Sequence, residues 1–409
     1  MKRYRLPVLF IPAIFTSLAF GQHQKLKAGY YNAALKLDAS TELPVRLSVE
    51  PSGKTQNLVI SNAEEKITLQ YRENKGDTLV AAFPDFDSEL RFVVSEKRHL
   101  RGYWINFNKG QSYRIPFYAD LGRGTAHPTE LPAVNLTGKW ESYFDLASKN
   151  PEAALGIFEQ KDARITGTFL TETGDYRFME GFVYGNNFWL SCFDGSHAFL
   201  LKGTEANGTL QGAFYSGKHY QTTFSCRKND AFKLADPDSL TYMKAEADKF
   251  SFTFPDLSGK PFTFPNPEFS GKVVIVQVMG TWCPNCMDET NFFQEIYAKY
   301  HPQGLEIISI AYEAAETFDG QAQKIRTLIE RKGLDFTFLI GGKASKGIAS
   351  EQFSQLNQIM SFPTAVFVGR DGTVKRIHTG FNGPGTGEFY QEYVEKTTAL
   401  LEQLLGEKP

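Results

Sequence analysis

Apolar and polar positions alternate along most of residues 28–230, in runs of a few residues broken by Gly, Asn and Asp. The stretch ITGTFLTETGDYRFMEGFVYGNNFWLSCFDGSHAFLLKG, residues 165–203, is typical. Its two-residue period turns one face of each run inward, and its Gly-Asp and Gly-Asn pairs supply tight turns. The pattern predicts antiparallel strands and hairpins. It also repeats. FDSELRFVVSEKRHLRGYW (86–104) lies on FDGSHAFLLKGTEANGTLQGAF (193–214) with one short insertion. Tyr113 and Phe117 share the spacing of Tyr220 and Phe224, and Gly29-Tyr30-Tyr31 stands where Gly138-Lys139-Trp140 does. Two tandem β modules of roughly 100 residues each are expected, at 27–125 and 136–230.

Residues 231–249 are polar and charged, a linker with a turn or two of helix at most. From residue 250 onward the period changes. The run VVIVQV (273–278) is largely β-branched, as in a strand covered on both faces. Helical spacing is expected at 288–300, 320–333, 350–359 and 389–405, strands at 305–313 and 335–341, and a hairpin turning at Asp371-Gly372. This order predicts an α/β domain with a central sheet over 250–409. The expected fold class is therefore multidomain, with an N-terminal all-β part and a C-terminal α/β domain.

A chain of 409 residues is too long for one ordinary core, which agrees with that division. The formal charge of -2, with both signs scattered, argues against nucleic acid or an anionic membrane surface as a partner. The first residues differ from the rest. Lys2, Arg3 and Arg5 precede a short apolar run, Leu6 to Phe20, and Ala19-Phe20-Gly21 is a small-x-small cleavage pattern. Residues 1–21 read as a secretory signal peptide, with no membrane span after its removal, and the expected location is outside the cytoplasm, in the periplasm of a Gram-negative bacterium.

Export makes the four cysteines informative, because thiols oxidise there. Cys192 and Cys226 form either a structural disulfide or two buried thiols. Cys283 and Cys286 flank Pro284-Asn285. Zinc needs about four ligands, and only His301 lies nearby in sequence. A bridge between i and i+3 closes too short a loop to restrain the unfolded chain much. Electron transfer is the chemistry left. If a helix starts near Pro284, Cys283 stands at its N-terminus, where free N–H groups and the helix dipole favour a thiolate. Lowering a thiol pKa from ~8.5 to ~7 takes about 2 kcal/mol. Cys283 is then the nucleophile and Cys286, one turn on, the resolving thiol. Pro284 suits the first helical turn because it has no N–H to satisfy.

VVIVQVMGTWCPNCMDE, followed about 80 residues later by SFPTAVFVGRDGTV, resembles the thioredoxin superfamily, and within it the exported TlpA/ResA-like thiol-disulfide oxidoreductases. The resemblance covers residues 250–405. It implies a thioredoxin fold, a cis bond before Pro363, and Phe362, Pro363 and Thr364 as a wall beside Trp282, Pro284, Asn285 and the cysteines. It also implies a proton-handling role for Glu289. Ordinary thioredoxins have an acid six residues before the first cysteine, whereas this chain has Gln277, an amide that cannot accept a thiol proton. The redox group is the Cys283/Cys286 pair itself, with no separate cofactor or metal. The implied partners are a client protein with cysteines or a disulfide and a membrane thiol electron donor. The expected reaction is reduction of client disulfides. The alternatives are a ligand-, glycan- or client-binding β protein with an accessory redox domain, and a disulfide oxidase or isomerase.

Overall fold

The computed structural model describes residues 25–110, 112–124, 128–247 and 249–408. The leader expected at 1–21 lies outside them. In the first module, eight antiparallel strands from Gly29–Lys36 to Arg114–Leu121 pair in chain order, and the last returns to the first, closing a barrel. Tyr31, Leu58, Leu69, Phe92, Trp104 and Ile115 are buried in its core. Eight strands make a ring narrow enough for side chains to fill.

Residues 138–228 form a second sheet of nine strands. Gly138–Phe144 pairs with both Glu152–Lys161 and Tyr220–Lys228, and Glu152–Lys161 pairs in turn with Arg164–Thr171. Eight of the strands thus close a second ring, and Gly174–Asp175 is a short ninth strand on Arg164–Thr171. The two rings follow the same strand order, and Gly29 and Gly138 each open the first strand of their ring. Their connections differ most at one point. In the first ring Thr55–Asn62 turns into Glu65–Glu73 through Ala63-Glu64. In the second, the equivalent strands Arg164–Thr171 and Met179–Tyr184 are separated by residues 172–178. Cys192 and Cys226 are buried free thiols in the second ring's core. The rings meet through aromatic packing, with Phe193 edge-on to both Phe83 and Trp104.

The C-terminal part is built on a five-stranded sheet in the order Thr337–Lys343, Leu305–Glu313, Val273–Met279, Thr364–Val368, Val374–Thr379. The first three strands are parallel, and the last two run antiparallel to their neighbours. Every residue of Val273–Met279 and Leu305–Glu313 is buried, as strands covered on both faces require. The helices Pro284–Tyr300, Phe318–Lys332 and Glu388–Gly406 pack against this sheet. The helix expected at 350–359 instead runs Lys346–Gln352, because Ser345 caps it by accepting a bond from the Ile348 N–H.

Residues 231–247 are docked rather than free. Their short helix Pro237–Leu240 places Asp238 against Arg376 (2.8 Å) and His378 (2.6 Å), and the Lys244 N–H bonds to the Gln355 carbonyl at 2.9 Å. Among the described residues no helix is long and apolar enough to cross a membrane.

Candidate active site

The central strand Val273–Met279 ends at Gly280, and the chain turns directly into the helix Pro284–Tyr300. Cys283 is the N-cap of that helix, and its Sγ accepts the Cys286 N–H at 3.2 Å. An anion formed on Cys283 sits where backbone donors and the positive end of the helix dipole converge. Cys283 and Cys286 are joined as a disulfide. Both are buried: Cys283 is 5% exposed and Cys286 0%.

The turn carrying them is fixed from several sides. The Thr281 N–H and hydroxyl both bond to the Glu313 carboxylate, at 2.8 and 2.6 Å. The Trp282 indole N–H donates to the Tyr312 carbonyl at 2.8 Å. Phe362 packs edge-on to Trp282 and stacks on Tyr312. The Phe362–Pro363 bond is cis, and the Phe362 carbonyl oxygen lies 3.3 Å from Cys283 Sγ. Thr364 opens the next strand, paired with Val278, and its hydroxyl donates to the Ser361 carbonyl at 2.9 Å. Trp282, Phe362, Pro363 and Thr364 are thus gathered around the disulfide.

Beneath the cysteines lies a buried polar group. The Gln277 amide donates to Glu289 at 2.9 Å, and its carbonyl accepts from Ser309 at 2.7 Å. Tyr393 donates to the other Glu289 oxygen at 3.3 Å. Burial pushes Glu289 up to about 8, against the smaller opposing effect of the bonds from Gln277 and Tyr393. Burial likewise pushes Glu313 up to about 7, with the Thr281 bonds opposing. Glu289 lies one turn beyond Cys286 on the same helix face, the spacing at which side chains are neighbours. The structure therefore joins Gln277 and Glu289 in one hydrogen-bonded pair.

Several residues here escaped the sequence reading. Glu313 ends a strand of apolar residues, a signal that was available. Tyr393 lies on the last helix with nothing local to mark it. The second ring also reaches the site. Asn285, between the two cysteines, donates from its amide to Asp175 Oδ2 at 3.1 Å. The Arg177 guanidinium bonds to the Pro284 carbonyl at 3.4 Å and pairs with Asp288, Glu65 and Asp194. Among the described residues no cluster of His, Cys, Asp and Glu is arranged to hold a metal ion.

Comparison with known proteins gives a consistent picture for this part of the chain. Residues 244–392 match the Redoxin family model. The thiol-disulfide oxidoreductase ResA of Halalkalibacterium halodurans is 27% identical over 124 residues, covering 30% of this chain and 61% of the relative. ResA of Bacillus anthracis is 30% identical over 127 residues, covering 31% and 64%. The chain thus spans less than two thirds of the length of these relatives. A thiol:disulfide interchange protein of the thioredoxin family from Chlorobium tepidum superposes with a TM-score of 0.29 at 19% identity, over 39% of this chain and 95% of that one. Behind an all-β N-terminal region, residues 244–392 of this chain match the Redoxin family and fold as an α/β domain on a five-stranded sheet.

Proposed function

We propose that the protein is an exported thiol-disulfide oxidoreductase that reduces disulfides of client proteins through Cys283 and Cys286. The observation that carries this reading is the Cys283–Cys286 disulfide at a helix N-terminus, with the Phe362 carbonyl beside it. In the reduced protein the Cys283 thiolate attacks one sulfur of a client disulfide. A Cys283–client mixed disulfide forms, and the other client sulfur leaves as a thiolate and takes up a proton. Cys286, on losing its own proton, attacks Cys283 Sγ, which releases the second client thiol and closes the Cys283–Cys286 bond. The two electrons gained by the client come from the pair, and a membrane thiol donor restores them.

Glu289 is the proton-handling group in this scheme. A carboxyl held near 8 exchanges protons in the range where thiols do, and Gln277 has no proton to exchange but orients it. The strand edge at Phe362-Pro363 serves as the docking line for an extended client segment. Reduction follows from the resemblance to ResA-like proteins and is favoured over oxidation or isomerisation on that ground. Insulin reduction with wild type and Cys283→Ser tests the reading: the substitution is expected to abolish turnover, and activity that survives it would remove the dithiol mechanism.

A further inference from the structure

The second ring's contact with the redox centre is not incidental packing. Each segment that frames Cys283 is engaged by it. The Ser196 hydroxyl reaches the Trp282 carbonyl at 3.4 Å, and Arg177 reaches the Pro284 carbonyl at 3.4 Å. Asp175 accepts from the Asn285 amide at 3.1 Å and from the Gly383 N–H at 2.6 Å. On the other wall, the Ser361 hydroxyl donates to the Thr173 carbonyl at 2.8 Å, two residues before Pro363. Backbones meet closely here as well: a Cβ added at Gly380 would stand 2.8 Å from the Thr173 carbonyl carbon.

These groups lie where an incoming chain has to lie. Nucleophilic attack needs a client sulfur in contact with Cys283, and an extended client segment needs free hydrogen-bonding groups along the Ser361–Pro363 edge. Cys283 is only 5% exposed in this arrangement, so little of it is open to an approaching polypeptide.

The covering segment is also the place where the connections of the two rings differ most in length. The first ring makes the same connection with Ala63-Glu64, whereas the second spends residues 172–178 on it. The first ring closes without such an insertion, so strand pairing does not demand it. The insertion is anchored in its own ring by Tyr176, which packs among Phe144, Phe169, Phe199 and Phe214, while Thr173, Asp175 and Arg177 face the redox domain through polar contacts and the Gly380 approach. Polar interfaces within a chain resemble those that open and close.

We propose that residues 172–178 are an intramolecular stopper, seated on the client-docking edge of the disulfide and keeping the redox centre latent until its tip, Thr173 to Asp175, draws away while Tyr176 and Arg177 stay anchored. Displacement frees the Asn285 amide, the Gly383 N–H and the Ser361 hydroxyl, which then receive the main chain and polar side chains of an extended, cystine-bearing client. The opening breaks the hydrogen bonds that Thr173 and Asp175 make to the redox domain and leaves the Tyr176 packing and the Arg177 ion pairs in place, and the electron transfer that follows is the one already written. The inference rests on the reading of Cys283 and Cys286 as the redox pair.

Two variants test it in the full chain. One is Asp175→Ala. The other replaces residues 172–178 with Ala-Glu, the connection of the first ring. After reduction, alkylation of Cys283 by a maleimide carrying a large polymer, and insulin reduction, are followed in parallel. Both rates are expected to rise tenfold or more in each variant. Unchanged alkylation in folded variants would overturn the stopper, whatever the insulin assay gives. Faster alkylation without any insulin reduction, in wild type or variants, would keep the stopper and remove the proposed activity.

Should both variants fail to fold, Cys286→Ala supplies the test, because it leaves Cys283 as a free thiol. Its alkylation by the large reagent is expected to proceed no faster than amide exchange at Arg177 and Gly383, whose N–H groups are held by Asp175. Alkylation at the rate of an open thiol while those amides stay protected would overturn the inference.

Discussion

Glu289 and Glu313 are buried acids on the two sides of the cysteine turn, and burial raises both. A carboxyl raised on folding is more protonated in the native than in the unfolded chain, so its contribution to stability is full below its unfolded pKa and lost as pH rises through the folded value. For Glu289 that window runs from the ordinary glutamate value of 4.5 to about 8. Urea melts of wild type are therefore expected to lose stability between pH 5 and 8.5, and Glu289→Gln to lose less. Equal slopes for the two proteins would contradict the assignment. The same substitution is expected to slow client reduction about tenfold or more, as loss of a positioned proton-transfer group does. Gln277 has a structural part in the same network. Gln277→Leu leaves Ser309 and Glu289 each short of a buried partner and is expected to cost about 2–4 kcal/mol in denaturant unfolding.

At the level of elements, the linker behaves as part of the C-terminal fold. Asp238, on the helix Pro237–Leu240, pairs with Arg376 and His378 on the strand Val374–Thr379. His378 is buried and is pushed below the usual imidazole range chiefly by that burial, with the Asp238 bond opposing. Asp238→Ala is expected to destabilise the C-terminal domain by about 1–2 kcal/mol, the modest value suiting a carboxylate that is still partly exposed. Little of this is legible in residues 231–249, because the partners lie more than a hundred positions away. What could be read was local. The alternation over 28–230, the β-branched run 273–278 and the Pro after Cys283 each state a backbone preference in a few consecutive residues, and strands and a helix start stand there. Asp175, Arg177 and Tyr393 carry no such mark. They matter only through the approach of separate elements, and no spacing in the chain encodes that approach.

For the whole molecule, the three units are pinned together at Arg177. This buried guanidinium, from the second ring, faces Glu65 of the first ring, Asp194 of its own, and Asp288 of the redox helix. Burial alone would raise Asp194, but His197 and Arg177 outweigh it and hold that carboxyl down at about 2, so it stays charged. Arg177→Ala strands several buried carboxylates and is expected to cost about 3–5 kcal/mol in thermal or denaturant unfolding. The loss should be smaller at acid pH, where those carboxylates are protonated, and a pH-independent loss would count against the charge argument. The barrel adds a second fastening. Asp85 pairs with Lys332 at 2.6 Å, and Phe86 enters the redox domain's core. The N-terminal rings are thereby a fixed neighbour of the disulfide.

The reduction potential of the Cys283/Cys286 pair tests the central claim most directly. Related folds span from about -270 mV for reductants to about -120 mV for oxidants, some 7 kcal/mol for two electrons. Equilibration of the full chain with glutathione or dithiothreitol buffers, read by alkylation of free thiols, gives the value. A reductase is expected to lie near the -270 mV end. A potential near -120 mV would contradict the account, because such a pair takes electrons from its clients.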